Sequence, residues 1–252
     1  MKNIFIIAGT SDSKIIIKKI EEFNVNVTIS VTTNMGENII SRYSNSEIIT
    51  AKLNAEEFMD ILKVKNIDIL IDVSHPFAFL VSQNAKKACC ILKIKYFRFL
   101  RKNIDYSYEN LIFVDSYEEA AVKANNMHGN ILLTTGAKTL DIFTKNIDDY
   151  KSKLHVRIFD FDESLNKCLN LGINKKNIIT VKGVSSTAEN IKLIKKINAK
   201  VLIAKESGIQ GGQQNKIDAA KFYRIPIIII KKPNENGFEN IDELINLVKK
   251  EI

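Results

Sequence analysis

The chain has 252 residues, of which 45% are hydrophobic and 26% are charged, enough for one large or two small globular domains. No apolar run approaches the ~20 residues that a membrane-spanning helix needs. The first apolar run ends at Gly9-Thr10, a turn expected after a strand and unlike a signal-peptide cleavage site. The three cysteines and three histidines lack metal or redox spacing, so we expect no metal site and a reducing, cytoplasmic setting. The net charge of +8 is compatible with nucleic acid, a membrane surface or an anionic small molecule.

Short apolar runs alternate with helix-like runs along the whole chain, which predicts a parallel α/β fold. Eleven strands are too many for one open sheet of this length, so we expect two Rossmann-like domains with a cleft between them. A polar segment at 103–110 sets the expected boundary, giving domains 1–108 and 109–252. The predicted strands are 3–8, 26–31, 47–50, 68–73, 95–98, 111–114, 129–134, 153–158, 177–181, 200–204 and 226–231. The predicted helices are 13–23, 55–63, 78–92, 117–126, 137–144, 163–171, 187–197, 213–222 and 241–250.

The most informative segment is Val201–Ala220, where a buried strand gives way to an unusually polar loop. The strand ends at Lys205-Glu206-Ser207-Gly208, and a pair of glycines, Gly211-Gly212, then leads into a helix predicted to start at Gln213. Ligands of open α/β sheets bind at the carboxyl ends of the strands, and glycines let a ligand approach the backbone. We therefore expect this loop to be functional.

Four further strand-to-helix loops carry candidate chemistry, and each also has a purely structural interpretation as a helix cap or a solvated lysine. Glycine and hydroxyl groups at a helix start suit a phosphate group, although the G-x-G-x-x-G fingerprint of dinucleotide sites is absent. His75 could orient a substrate or donate a proton, or it could cap the following helix, in which Pro76 is expected in the first turn. The loops are 8–13 (AGTSDS), 72–78 (DVSHPFA), 133–138 (LTTGAK) and 181–187 (VKGVSST).

A basic run with interleaved aromatic residues spans 86–102 and contains no acidic residue. Such a run suits either nucleic-acid binding or a substrate with several carboxylates. Its alternative is a solvated helix face followed by an ordinary strand. The cationic residues are Lys86, Lys87, Lys93, Lys95, Arg98, Arg101 and Lys102.

Taken together, the loops resemble those of the precorrin-6A reductases of corrin biosynthesis. The family's Gly-Gly-Thr loop is replaced here by Ala8-Gly9-Thr10, and its Asp-Ala-Thr-His-Pro-Phe-Ala segment by 72–78. Its strongest signature is Lys-Glu-Ser-Gly, then Gly-Gly, Lys and Ala-Ala. The remaining matches are Thr134-Thr135-Gly136, Arg157, Lys205-Glu206-Ser207-Gly208, Gly211-Gly212, Lys216 and Ala219-Ala220.

The resemblance implies an oxidoreductase that transfers a hydride from NADPH or NADH to one double bond of (cobalt-)precorrin-6A, a polycarboxylate tetrapyrrole. We expect a monomer without a nucleic-acid or membrane partner. The candidate proton donors are Lys205, Glu206 and His75. The candidate cofactor-binding residues are Gly9, Thr10, Ser11, Asp12, Thr32, Thr33, Thr135 and Gly136. The candidate substrate-binding residues are Arg157, Lys182, Ser207, Gly208, Gly211, Gly212 and Lys216.

Three other functions compete with this interpretation. A short-chain dehydrogenase needs Tyr-x-x-x-Lys, and none of the seven tyrosines has a lysine four residues later. A nucleic-acid-binding protein would use the basic run, and its affinity would fall steeply with salt. A nucleotide or tetrapyrrole carrier would bind either ligand without oxidising NAD(P)H.

Overall fold

The structure is a computed structural model that describes residues 1–101 and 107–252. The described residues form two compact units: the first contains 1–101 and 233–252, and the second contains 107–232. The predicted boundary segment 103–110 lies partly outside the described residues. Lys102, the last residue of the basic run, also lies outside them. The division differs from the expected one at the C-terminus, because residues 233–252 belong to the first unit.

Eleven strands and eleven α-helices occur in the described residues. The strands are β1 Lys2–Ile7, β2 Val25–Val31, β3 Glu47–Thr50, β4 Ile69–Asp72, β5 Lys95–Arg98, β6 Leu111–Val114, β7 Asn130–Leu133, β8 Leu154–Phe159, β9 Ile178–Val181, β10 Ala199–Lys205 and β11 Ile227–Ile230. The helices are α1 Ser11–Glu21, α2 Asn34–Ile40, α3 Ala55–Val64, α4 Phe79–Leu92, α5 Tyr117–Asn125, α6 Leu140–Asn146, α7 Tyr150–Lys153, α8 Asp162–Asn170, α9 Thr187–Ile197, α10 Gln213–Tyr223 and α11 Ile241–Glu251.

Each unit contains one wholly parallel sheet, so the predicted α/β fold with two parallel-sheet domains is confirmed. The strand order is β3-β2-β1-β4-β5 in the first sheet and β6-β11-β10-β7-β8-β9 in the second. Alternate residues of β1 pack into two different core clusters, Ile4 and Ile6 into one and Phe5 and Ile7 into the other. Both faces of the sheet are therefore buried, which explains why these strands are nearly continuous apolar runs.

The C-terminal segment completes the first unit. Phe238 pairs with Phe99 beyond β5, and the N–H of Leu100 donates to the Phe238 carbonyl over 2.8 Å. The apolar face of α11, with Leu244 and Val248, packs into the core cluster of β1 and α1. An amphipathic helix is predictable from its own sequence, but its packing partner is not.

All predicted strands and helices have counterparts, with ends that move by at most three residues. Asn54 is the N-cap of α3: its side chain accepts from two N–H groups of the helix, and Glu57 closes a capping box. The expected place of Pro76 in the first turn of α4 is wrong. Pro76 lies in a turn, and α4 begins only at Phe79. Helices α2 and α7 were not predicted. Within the described residues no helix has both the length and the apolar character to cross a bilayer.

Candidate functional site

In each sheet the chain adds strands first toward one edge and later toward the other edge. The change occurs at one pair of neighbouring strands. In the first sheet this point lies between β1 and β4, and in the second it lies between β7 and β10. The loops that follow these strands leave the sheet on opposite sides, and ligands of open α/β folds bind in the crevice that results. All the loops of the two strand pairs were candidates from the sequence.

In the first unit, the loops after β1 and β4 are joined at this point. The Thr10 hydroxyl donates to the Val73 carbonyl over 3.1 Å. Gly9 has a φ of +156°, and a Cβ at this residue would meet no atom within 4 Å. The loop thus presents bare backbone to open space beside the N-terminus of α1, which suits an approaching phosphate group.

Ser11 and Asp12 follow Thr10, but Arg101 engages them. The Asp12 side chain is 5% exposed, and its carboxylate accepts from the Arg101 Nε over 2.8 Å. A second guanidinium nitrogen of Arg101 lies 3.4 Å from the Ser11 hydroxyl. This geometry favours a role for Asp12 in fixing the start of α1 over direct contact with a cofactor.

Thr32 and Thr33 are exposed at the end of β2, beside β1. Thr33 is the N-cap of α2, and its hydroxyl accepts from the Gly36 N–H. No acidic residue stands at this strand end to select an unphosphorylated ribose.

His75 follows β4, and its Nδ1 accepts from the Phe77 N–H over 3.2 Å. The imidazole therefore stabilises the turn before α4, and it is not the helix cap of the structural alternative, since the N-cap of α4 is Ala78. Because Nδ1 acts as an acceptor, the neutral ring carries its proton on Nε2.

A buried charge network at the end of β4 was not found from the sequence. Arg98 donates to a carboxylate oxygen of Asp72 over 3.0 Å, to the Ser74 carbonyl over 3.0 Å and to Glu235 of the C-terminal segment over 3.0 Å. The Tyr96 hydroxyl donates to the second Asp72 oxygen over 2.7 Å. Arg98 thus fixes the loop that carries His75 and ties the C-terminal segment to it.

These contacts correct the interpretation of the basic run 86–102 as a binding surface. Arg98 and Arg101 are buried and paired with carboxylates from distant parts of the chain. The absence of acidic residues within the run therefore does not make it a cationic surface, and the interpretation as a nucleic-acid site loses two of its arginines.

In the second unit, Thr134 joins the loop after β7 to β10, since its hydroxyl donates to the Ile203 carbonyl over 2.8 Å. The next residue, Thr135, is buried, and its hydroxyl has no partner among the described residues. Gly136 has a φ of +83° and open space where a Cβ would lie. An unsatisfied buried hydroxyl next to open backbone is typical of a ligand-binding loop.

Lys205 ends β10, and its ammonium lies 5.5 Å from the centre of the Tyr117 ring. Burial lowers the pKa of Lys205 to about 8, and the positive charge of Lys138 lowers it further. Burial also raises the pKa of Tyr117 to about 12. Lys205 can therefore give up a proton near neutral pH, which an exposed lysine does not do.

The residues after Lys205 shape the loop. The Glu206 carboxylate accepts from the Lys232 N–H over 2.9 Å, at the end of β11. The Ser207 hydroxyl donates to the Gly211 carbonyl over 3.2 Å. Gly208 has a φ of +69°, and its N–H donates to the side-chain oxygen of Gln213 over 3.0 Å.

The end of this loop packs against the loop after β9. Gly212 has a φ of +66°, and a Cβ at this residue would lie 2.4 Å from a Val184 side-chain carbon. The side-chain amide of Asn215 donates to the Ser185 carbonyl over 3.0 Å. Lys182, in the same loop after β9, is exposed.

Two cations are buried on neutral partners in this unit. Arg157 of β8 donates to the side-chain oxygen of Asn190 over 2.6 Å, and Lys216 of α10 donates to the Gly211 carbonyl over 2.9 Å. Each residue is 8% exposed. Burial lowers the pKa of Lys216 to about 7, with a further contribution from Arg157, and burial lowers the pKa of Arg157 to about 10. An anionic ligand would offset both costs.

Comparison with known proteins gives one consistent result. Residues 3–249 match the family model "Precorrin-6x reductase CbiJ/CobK". The chain belongs to this family. Proteins named cobalt-precorrin-6A reductase are 34% identical over 255 residues in Methanococcus maripaludis (98% of this chain, 99% of the relative) and 32% identical over 250 residues in Methanocaldococcus jannaschii (98% of both).

A third such reductase, from Priestia megaterium, is 32% identical over 231 residues, 91% of this chain and 90% of the relative. The solved structure "CobK precorrin-6A reductase" superposes with a TM-score of 0.78 at 17% identity, over 99% of this chain and 97% of that one. The family expected from the loops is thus confirmed, together with the fold and the assignment to the reductases of cobalamin biosynthesis.

Proposed function

We propose that this chain transfers a hydride from NADPH or NADH to one double bond of cobalt-precorrin-6A, giving cobalt-precorrin-6B. The observation that carries the proposal is the cationic group at the strand ends of the second unit: Lys205 with a pKa of about 8, and Arg157 and Lys216 buried on neutral oxygens. A substrate with several acetate and propionate side chains would supply anions to Arg157 and Lys216.

The nicotinamide cofactor supplies the hydride when bound. Its phosphate groups would be held at the start of α1 by the backbone of Gly9 and the Thr10 loop, which the open space at Gly9 supports. Thr32 and Thr33 would lie beside the adenosine ribose. Thr135 and Gly136 would contact the cofactor or the macrocycle from the loop after β7.

Substrate carboxylates would accept hydrogen bonds from Arg157, Lys182 and Lys216. The glycines of the 208–212 loop would let the macrocycle come close to the backbone, and Ser207 holds that loop in shape. Most of the rate would come from this positioning of the two reactants.

Reduction of the double bond also requires a proton, for which Lys205 is the best candidate. Its ammonium is held over the Tyr117 ring, and burial brings its pKa near the working pH. Glu206 and His75 are weaker candidates, because each already stabilises a neighbouring backbone N–H.

The direct test is anaerobic oxidation of NADPH and of NADH, followed by absorbance, with cobalt-precorrin-6A and then with metal-free precorrin-6A. Turnover with the cobalt compound supports the proposal and identifies the cofactor. Turnover with the metal-free compound alone would reassign the substrate. Tight nicotinamide binding without turnover in any combination would contradict the proposal and favour a carrier.

A further inference from the structure

Gln213, predicted only as the first residue of a helix, is completely buried, and only one of the two polar groups of its side chain is hydrogen-bonded. It is 0% exposed, and its Oε1 accepts from the Gly208 N–H over 3.0 Å. Only the oxygen of an amide accepts from an N–H group, so this bond fixes the orientation of the side chain. The NH2 group is consequently directed away from Gly208, and it has no partner among the described residues.

A buried amide NH2 without an acceptor costs roughly 1–3 kcal/mol, and such groups are rare in folded proteins. The cost would be avoided if the side chain were reversed or exposed, but the Gly208 contact prevents both. The described residues thus leave a buried donor for which they supply no acceptor.

The same residue opens α10, an eleven-residue helix whose N-terminus has no side-chain cap and no acidic residue in its first turn. The first-turn N–H groups of a helix have no intrahelical acceptors, and the helix dipole gives this end a partial positive charge. In α10 the Gln213 N–H already donates to the Gly208 carbonyl over 3.2 Å, so a ligand would bond the N–H groups that follow it. The N-cap is Gly212, at a φ of +66°, so the N-cap residue itself has no side chain to bond these N–H groups.

Cations lie close to this helix end. The Lys216 ammonium returns to the Gly211 carbonyl, one residue before the N-cap, and Arg157 is near enough to lower the pKa of Lys216. Lys216, Arg157 and the helix end therefore favour a negative ligand, and the loop after β10 that carries Lys205 leads to this helix.

We propose that the first turn of α10 and the side-chain amide of Gln213 together bind an oxyanion, either a carboxylate of the substrate or a phosphate group of the cofactor. The choice between these sources rests on the proposed function, whereas the oxyanion site itself does not. Gln213 acts here as a ligand-binding residue and takes no part in the chemical step.

The sharpest variant is Gln213→Glu, which retains the oxygen for the Gly208 N–H and replaces the NH2 donor by a second oxygen. The helix N-terminus and the Gly208 N–H favour the ionised carboxylate, so the variant repels an oxyanion. The matched control is Gln210→Glu, the same chemical change at an exposed residue of the same loop. Thermal melting of both variants checks that they fold.

Three affinities are measured for the wild type and both variants: inorganic pyrophosphate by calorimetry, NADPH by fluorescence, and cobalt-precorrin-6A by anaerobic absorbance titration. We expect Gln213→Glu to lose at least about tenfold in affinity for one of them, and Gln210→Glu to lose less than about twofold. A loss confined to cobalt-precorrin-6A identifies a carboxylate, and a loss for NADPH or pyrophosphate identifies a phosphate.

Unchanged affinities in a folded Gln213→Glu protein would overturn the oxyanion site, as would a wild type that binds none of the three probes. If Gln213→Glu does not fold, Gln213→Met decides the question by the same criteria, because it removes the donor without adding charge. A weakened pyrophosphate affinity in a chain that never oxidises NADPH or NADH would support the oxyanion site while refuting the proposed reductase.

Discussion

The buried cations near the strand ends have charged hydrogen-bond partners in the first unit and neutral ones in the second. In the first unit, Arg98 and Arg101 each donate to a carboxylate that is itself almost fully buried. In the second unit, Arg157 and Lys216 are equally buried but donate to an amide oxygen and a carbonyl oxygen, which are neutral. Within the described residues, the first arrangement pairs each buried cation with a carboxylate, and the second does not.

This difference indicates which buried charges stabilise the fold and which bind a ligand. A buried ion pair fixes a loop, and breaking it leaves an uncompensated buried charge that destabilises the fold. A buried cation on neutral partners is costly in the free protein, and the lowered pKa values of Lys216 and Arg157 express that cost. Such a cation is retained where a ligand supplies the opposite charge.

The largest expected effect is on stability in the first unit. Arg98→Met leaves Asp72 buried with an uncompensated charge, so we expect the free energy of unfolding in urea to fall by about 3–5 kcal/mol. The control is Lys95→Met on the same strand, which removes an exposed ion pair with Glu251 and should cost less than about 1 kcal/mol. Equal losses for the two variants would mean that the buried network has no special role.

The next effect is on turnover. If Lys205 donates the proton, kcat falls as pH rises through about 8, because the donor is lost above its pKa. Lys205→Arg retains the charge but does not release a proton, so we expect kcat to fall by about 10²-fold and the alkaline limb to disappear. Lys200→Arg, at an exposed residue of the same strand, is the control. A Lys205→Arg enzyme with wild-type kcat would remove Lys205 from the proton transfer.

Replacing Lys216 should change the stability of the fold in the opposite direction to replacing Arg98. Its pKa of about 7 in the folded chain lies below the ordinary value of 10.5, so the unfolded chain binds more protons between these values and stability rises with pH across that window. Below about pH 7 Lys216 is protonated in both the folded and the unfolded chain, so its burial destabilises the folded chain by the full amount. Lys216→Met should therefore raise the free energy of unfolding at pH 7, by up to about 4 kcal/mol, while weakening substrate binding. Urea titrations at pH 7 and 10 test this, and a variant that is less stable than the wild type at pH 7 would contradict it.

The smallest effect concerns the cofactor loop. Thr10→Val removes the hydroxyl that joins the loops after β1 and β4, and we expect the KM for the nicotinamide cofactor to rise by about 3–10-fold with kcat nearly unchanged. Thr180→Val, at an exposed residue of β9, serves as the control. An unchanged KM would argue against cofactor binding at this loop.

Much of this could be predicted from the sequence because the informative patterns are local. The run of four isoleucines in β11 and the capping box at Asn54 each specify an element without reference to the rest of the chain. The polar loop after β10 was identified in the same way. Helix α2 was missed because its seven residues, NMGENII, bury only Ile40 and so show no amphipathic period.

The remaining features depend on long-range contacts. No local pattern pairs Arg98 with Asp72 or returns the C-terminal segment to the first unit. Gln213 could not be distinguished from an exposed glutamine at a helix start. Its position directly after Gly211-Gly212 was the one available signal, since two glycines leave a helix start uncapped.

The measurement that most directly tests the account is the number of protons taken up when cobalt-precorrin-6A binds at pH 8, by anaerobic calorimetry in two buffers of different ionisation enthalpy. Lys216 and part of the Lys205 population are neutral at this pH, and bound carboxylates favour their charged forms. We predict an uptake of about one proton in the wild type and a clearly smaller uptake in Lys216→Met. Binding without proton uptake, or with equal uptake in both proteins, would contradict the claim that buried basic groups of the second unit become charged when an anionic ligand binds.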